Sequence, residues 1–109
     1  MPATPPTDLG ELMELISQTF LFDGKKYPEL RPASLAKRYR FAVRHSALHI
    51  SKSAGAIAAE AEKADHGEQM DHQAIKLATA KLFVTTVNLA CHSGMTANDL
   101  SEMVPKIVK

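Results

Sequence analysis

The chain has 109 residues, a formal net charge of +1, 45% hydrophobic residues and a single cysteine. These values indicate one soluble globular domain with a modest core and exclude a fold held by internal disulfides. The N-terminus has neither the basic nor the apolar region of a signal peptide, and the longest apolar run, residues 82–91, is too short to span a bilayer. We therefore expect a cytoplasmic protein of bacterial or viral origin with no membrane partner.

The first part of the chain predicts an arm, a helix and a connector. Residues 1–7 hold three prolines and are expected to be a disordered arm in front of one helical domain, residues 8–109. Asp8 and Glu11 have the spacing of a capping box, which predicts the start of a first amphipathic helix. Residues 25–32 contain two prolines and are expected to be a connector.

Ser34 predicts the N-cap of a long second helix that reaches about Ala64. One face of this helix carries apolar residues at helical spacing and is expected to point at the core: Leu35, Tyr39, Ala42, Ile50, Ile57 and Ala61. Gly55 lies inside the helix at a cost of about 1 kcal/mol, and its expected use is the close approach of another helix.

Asp71 predicts the N-cap of a third helix and Gly94 its end. Apolar residues surround this helix almost completely, so it should lie at the centre of a bundle or be covered by a second subunit. Thr96 with Asp99 predicts the cap of a short last helix, which Pro105 should kink or end. The predicted fold is all-α, with four helices arranged like a bundle, one of them long and basic and one central and apolar.

Charged residues are segregated along the chain. Residues 30–59 contain six Lys or Arg and two His but no acid, and residues 72–98 are also free of acids. A solvated helix normally mixes both signs, so a helix of one sign predicts an anionic partner. The basic side chains of the second helix fall on two neighbouring faces, one with Lys37, Arg40 and Arg44 and the other with Arg38, His45, His49 and Lys52.

These faces suit the phosphates of a nucleotide or a nucleic acid, and equally an acidic protein surface. A solvated face neutralised by the acids of residues 60–71 or by the acidic first helix is the alternative that needs no partner. His45 and His49 are one helical turn apart and have a spacing that a metal can use. Their helix offers no acid, and the neighbouring Arg38 and Lys52 repel a divalent ion. We therefore predict no metal site and no cofactor.

Two stretches resemble a known family. Residues 49–59, His-Ile-Ser-Lys-Ser-Ala-Gly-Ala-Ile-Ala-Ala, are similar to the second-helix motif of the MazG-like nucleotide pyrophosphohydrolases, and residues 77–94 are similar to their third helix. The similarity covers residues 35–104. It implies a MazG-like all-α fold. In that family four acids, in an E-x-x-E and an E-x-x-D arrangement, hold Mg²⁺ against a triphosphate.

At the positions of those four acids this chain has Ser53, Ala56, Ala78 and Lys81. The resemblance therefore implies the scaffold without the catalyst, and Lys81 becomes a candidate contact for a phosphate. The acid pairs of residues 62–71 have the helical spacing but crowd around Gly67, where a solvated turn explains them better.

Three functions follow. The first is a non-catalytic MazG-like protein that binds a nucleotide or another anionic ligand or partner and forms a dimer or tetramer through its apolar helix. Its predicted binding residues are Lys37, Arg38, Arg40, Arg44, His45, His49, Lys52 and Lys81, with no catalytic residue. The alternative is a phage or mobile-element module that binds nucleic acid or an acidic host protein. The third is an active Mg²⁺-dependent NTP pyrophosphohydrolase whose metal is met by Glu60, Glu62, Asp65 or Glu68.

Overall fold

The computed structural model describes residues 4–31 and 34–109. Its helices are α1 (Leu9–Thr19), α2 (Leu35–Asp65), α3 (His72–His92) and α4 (Ala97–Ile107), with a 3-10 turn at Pro28–Leu30 between the first two. These two described ranges contain no strand. The predicted all-α, four-helix fold is confirmed.

The structure describes the predicted arm and connector only in part. Residues 1–3 of the arm and residues 32–33 lie outside the described residues, so the disordered arm stays a prediction. From Thr4 onward the chain lies beside α1, and the backbone N–H of Thr7 donates to the Glu11 carboxylate at 2.8 Å. In the connector the 3-10 turn contributes Leu30, which is fully buried. A single apolar residue between prolines carries no periodicity, so the sequence did not identify it as a core residue.

The N-caps fix where the helices begin, because each satisfies a backbone N–H that has no partner inside its helix. The four predicted caps are confirmed by side-chain acceptors at Asp8, Ser34, Asp71 and Thr96. At α4 the Asp99 side chain also accepts from the backbone of Thr96, which completes the predicted capping box. At α1 the box is shifted, since Glu11 reaches Thr7 instead of Asp8.

α2 and α3 form an antiparallel hairpin, and α1 packs across the C-terminal half of α3. The buried centre of this second contact is formed by Met13, Ile16 and Val87. α4 reaches the same cluster through Ala97 and Leu100. The hairpin and the segment between α1 and α2 therefore enclose one side of α3 on which a cavity lies.

The buried residues of α2 lie on nearly the same side of the helix as the predicted apolar face, but most of them are small or polar. They are Phe41, Ala42, Ser46, Ser53 and Glu60. Of the predicted face Ala42 is buried and Ile50 and Ile57 are half-buried, whereas Leu35 is 87% exposed and Tyr39 is 48% exposed. The apolar spacing therefore predicted the side of α2 that meets α3, but not which residues on that side are fully buried.

α3 lies between α1 and α2, as predicted for a central helix, but it is not covered on all sides. Only Ala78, Val87 and Asn88 are buried, and Leu77 and Phe83 are 58% and 46% exposed. By length and composition α3 is also long and apolar enough to cross a membrane, with a mean hydropathy of 1.3 over 18 residues. Core helices of soluble proteins meet the same criterion, so the predicted lack of a membrane partner stays a prediction.

Two features of the helices differ from their predicted use. A Cβ atom added to Gly55 would meet nothing within 4 Å, so no helix of this chain approaches it closely. Pro105 lies inside α4 without ending it, because the helix continues to Ile107. The glycine is therefore without a packing role inside the described chain.

Candidate ligand-binding cavity

A cavity of about 770 Å³ lies between α2 and α3 and is closed at one end by the segment between α1 and α2. Its volume is in the range of sites that enclose a small organic ligand. The wall from α3 is mostly apolar and includes Ala74, Leu77, Ala78 and Val84. Because α3 is apolar around its whole circumference, the face that it turns toward the cavity is also apolar.

Aromatic rings close the end of the cavity. Phe20, Phe22 and Tyr27 line it, and the rings of Phe22 and Tyr27 stack with centroids 5.8 Å apart. Phe22 also contacts His92 of α3 edge-on at 4.7 Å and His45 of α2 at 5.8 Å. This arrangement presents flat apolar surfaces to a ligand and connects the segment to both helices of the hairpin.

The cavity is lined by cationic side chains and histidines. They are Lys26, Lys52, Lys81, His45 and His49, and no Asp or Glu of the two described ranges lies among the lining residues. Lys26 also lies over the ring of Phe20, with its Nζ 5.7 Å from the centroid. Concave walls of low polarity concentrate the field of such charges, so the cavity attracts anions.

His45 and His49 form a direct contact at the rim. Their Nε2 atoms are 3.1 Å apart, and the hydroxyl of Tyr27 lies 3.4 Å from Nε2 of His45. Only one proton fits between two imidazole nitrogens at this distance, so the pair cannot keep this contact with both rings protonated. Burial lowers the pKa of His45 below its ordinary value of 6.5, and the charges of His49, Arg44 and Lys26 lower it further. An anion in the cavity would oppose these effects and favour protonation.

Asn88 adds a polar group to the apolar wall. Its side-chain amide donates to the carbonyl of Phe20 at 3.2 Å, which fixes the aromatic segment on α3. The residue is 5% exposed and its Oδ1 has no hydrogen-bond partner in the described chain. A buried acceptor without a partner destabilises the folded state.

The four positions that the MazG-like resemblance of the sequence would align with acids all line this cavity. Ser53 and Ala56 contribute from α2, and Ala78 and Lys81 from α3. In residues 4–31 and 34–109 no three His, Cys, Asp or Glu side chains lie close enough to hold a metal ion. The positions thus surround a shared space that contains a cation in place of carboxylates.

Glu60 is one of the acids that the third hypothesis assigns to a metal. Both of its carboxylate oxygens form hydrogen bonds within the protein instead. It is only 8% exposed, its Oε1 accepts from the backbone N–H of Asp71 at 2.8 Å, and its Oε2 accepts from Nζ of Lys63 at 3.0 Å. The hydrogen bond from Asp71 is the main cause of its lowered pKa, followed by the one from Lys63. This acid, which precedes the acid pairs predicted to lie in a solvated turn, therefore fastens the turn to α2.

The structure separates the eight predicted binding residues into two groups. His45, His49, Lys52 and Lys81 line the cavity, whereas Lys37, Arg38, Arg40 and Arg44 do not. On the side of α2 that points away from α3, Lys37 donates to the backbone carbonyl of Glu29 at 3.3 Å. Arg44 forms an ion pair with the carboxylate of Glu29 at 3.8 Å. The single predicted basic helix therefore presents two distinct surfaces.

Sequence reasoning missed the contribution of the segment between α1 and α2. Phe20, Phe22, Lys26 and Tyr27 line the cavity, but residues 25–32 were interpreted only as a connector. The signal was the presence of three aromatic residues and two lysines within residues 20–27.

No protein-family model, no curated protein and no solved structure matches this chain. The candidate site is therefore assessed on its geometry and charges.

Proposed function

We propose that the protein is a non-catalytic binding protein with a MazG-like helical scaffold, and that its cavity holds a small anionic ligand of the nucleotide class. The observation that carries the proposal is a partly open, mostly apolar cavity that is lined by lysines and histidines and by no Asp or Glu of the described residues. A ligand with a flat ring and a phosphate satisfies both properties, since the ring packs on apolar and aromatic side chains and the phosphate meets the cations.

Each part of the lining supports a different part of such a ligand. Lys52 and Lys81 reach the cavity from opposite helices, so one phosphate group between α2 and α3 can interact with both. Phe20 and Tyr27 offer ring faces at the closed end.

The proposed relationship to the MazG-like scaffold is supported by the shared location of Ser53, Ala56, Ala78 and Lys81 around one cavity. Mg²⁺ prefers oxygen ligands and requires several of them in a near-octahedral arrangement. A cavity without carboxylates offers neither that ligand set nor the metal-activated water of hydrolysis. We accordingly propose binding without Mg²⁺-dependent release of pyrophosphate.

Calorimetric titration with nucleoside mono-, di- and triphosphates, with and without Mg²⁺, tests this function. We expect at least one class to bind in the absence of the metal and Lys81→Ala to weaken it at least tenfold. Lys76→Ala is the matched control, because Lys76 is an exposed lysine of α3 that does not line the cavity. Equal affinities of the two variants, or no binding at millimolar nucleotide, would sink the cavity proposal, and metal-dependent pyrophosphate release would sink its non-catalytic part.

Self-association through α3 is a second proposal, and the exposed side of that helix favours it. Phe83 is 46% exposed on a helix that is apolar all round. Burying this side in a dimer or tetramer would remove apolar area from water. Sedimentation at micromolar concentration should show a species larger than the monomer, and Phe83→Glu should shift it toward the monomer. A wild-type monomer under these conditions contradicts the proposal.

A further inference from the structure

The outer face of α2, opposite α3, has a charge pattern that reverses along the helix. Its N-terminal half carries Lys37, Arg40 and Arg44, and its C-terminal half carries Glu62 and Asp65. All five side chains are exposed. With 3.6 residues per turn these positions fall within one arc of the helix, so they form a single face that we call the outer face.

Between the two charged halves the outer face is made of small and apolar residues. They are Ala47, Leu48, Ser51, Ala54, Gly55 and Ala58, and all are exposed, with Leu48 at 64%. Small side chains allow two helix axes to come within about 8 Å of each other. Gly55, which no part of the described chain approaches, lies in this middle section.

Residues of opposite charge lie at equal distances on the two sides of Ser51. Arg40 and Glu62 are each eleven residues from Ser51, and Lys37 and Asp65 are each fourteen residues from it. If two copies of α2 pack antiparallel and cross at Ser51, Arg40 therefore lies opposite Glu62 of the second copy, and Lys37 lies opposite Asp65. The two Arg40–Glu62 pairs would be separated by about 33 Å of helix, at a rise of about 1.5 Å per residue. Parallel packing would instead oppose like charges.

We infer that the outer face binds a second copy of this chain through an antiparallel α2–α2 contact centred on Ser51. A two-fold axis at this residue makes the contact self-complementary, as closed dimers require. The inference goes beyond the proposed ligand cavity, and it uses a surface different from the exposed side of α3.

The existing contacts of the charged residues are compatible with this pairing. Arg44 pairs with Glu29 at 3.8 Å, and Nε2 of His66 lies 3.9 Å from the Glu62 carboxylate. Both pairs are long and solvent-exposed, so they are weak and do not occupy the groups fully. Arg40 and Asp65 take part in no ion pair within the described ranges.

Disulfide capture tests the contact directly. In a Cys91→Ser background, Ser51→Cys places two thiols next to each other at the two-fold axis, and mild oxidation should give a covalent dimer. Ser101→Cys is the control, because it puts an equally exposed cysteine on α4. We expect the Ser51→Cys variant to cross-link at least tenfold faster at micromolar concentration. Equal rates overturn the inference whatever the state of the α3 interface.

Charge reversal tests the register. Adding Arg40→Glu to Ser51→Cys should slow cross-linking at least tenfold through repulsion of Glu62, and adding Glu62→Arg as well should restore most of the rate. If the variant with both reversals cross-links as slowly as the one with Arg40→Glu alone, and circular dichroism shows an unchanged helix content, the proposed register is wrong. If the outer face instead binds duplex DNA with a steep salt dependence and gives no cross-link, it is a nucleic-acid surface and the inference is wrong.

Discussion

The carboxylate of Glu60 accepts a hydrogen bond of 2.8 Å from the backbone N–H of Asp71, eleven residues later in the chain. Asp71 is itself the N-cap of α3 and accepts from the backbone of Gln73 and Ala74. One buried acid therefore connects the last turns of α2 to the first turn of α3. Since α2 and α3 form the walls of the cavity, this bond fixes the spacing of the two walls at the end opposite the aromatic rings.

Replacing Glu60 should loosen the hairpin. A lowered pKa means that the folded state favours the ionised carboxylate, so its contribution is present above the ordinary value of 4.5 and is lost as the pH falls through the lower folded value. We expect Glu60→Gln to lower the free energy of unfolding at pH 7 and to reduce its fall on acidification to pH 3. Urea denaturation measures both. Glu68→Gln, an exposed acid of the same turn, should change neither, and equal effects of the two variants would contradict the assignment.

His45 should make the stability of the free protein depend on mild acid. Its pKa is lowered, so protonation favours the unfolded state and the free energy of unfolding falls as the pH drops below 6.5. We expect His45→Phe, which preserves packing against Phe41, to remove most of the difference between pH 7.5 and pH 5.5. NMR titration of the imidazole locates the pKa directly. His72→Gln, an exposed control on α3, should retain the wild-type dependence, and a His45 pKa above 6.5 would refute the prediction.

The same histidine should couple ligand binding to pH. An anion near His45 favours its protonated form, so binding of a nucleotide should take up a fraction of a proton near pH 6 and tighten as the pH falls. Calorimetry in buffers of different ionisation enthalpy measures the uptake. If His45→Phe takes up the same amount of proton on binding, another group is responsible for the uptake.

Asn88 should be important to stability. Asn88→Ala removes its hydrogen bond to the carbonyl of Phe20, and we expect a loss of about 1 to 2 kcal/mol in the free energy of unfolding. Thr79→Ala is the control on the same helix, because its exposed hydroxyl bonds only within α3. Thermal denaturation followed by circular dichroism compares them. A smaller loss for Asn88→Ala than for Thr79→Ala would show that the contact with Phe20 contributes little.

Replacing Gly55 should stabilise the protein, in contrast to the substitutions above. This glycine lies in an exposed part of α2 with free space around it in the single chain, so Gly55→Ala should raise the free energy of unfolding of the monomer by about 0.5 to 1 kcal/mol. Gly67→Ala should lower it instead by about 1 to 2 kcal/mol, because Gly67 has a φ of +77° that a side chain disfavours. Chemical denaturation of both variants provides the comparison. A destabilising Gly55→Ala would reveal a close contact at that position.

The helix starts could be predicted because cap chemistry is local. Asp8, Ser34, Asp71 and Thr96 each bond to a backbone N–H no more than three residues away, so a short stretch of sequence contains the whole interaction. The fully buried residues of α2 could not be predicted in this way. Ser46 and Ser53 are buried because α3 lies against them, and the place where a partner helix approaches most closely depends on residues far away in the chain.

The candidate site was predicted in part for the same reason. The basic side of α2 was visible in the sequence because His45, His49 and Lys52 recur at helical spacing. Lys26 and Phe20 reach the same cavity only because the segment between α1 and α2 folds back over it. Helical periodicity carries no information on the path of such a segment.

α4 has no buried residue and contains Pro105, which supplies no backbone N–H. It is attached to α1 mainly through Ala97 and Leu100, near its first turn. Helices held by so few apolar contacts open by themselves at a free-energy cost well below that of global unfolding. The amide protons of α4 should therefore exchange with deuterium long before those in the middle of α2 and α3, and a protease should shorten the chain from this end while the hairpin stays intact.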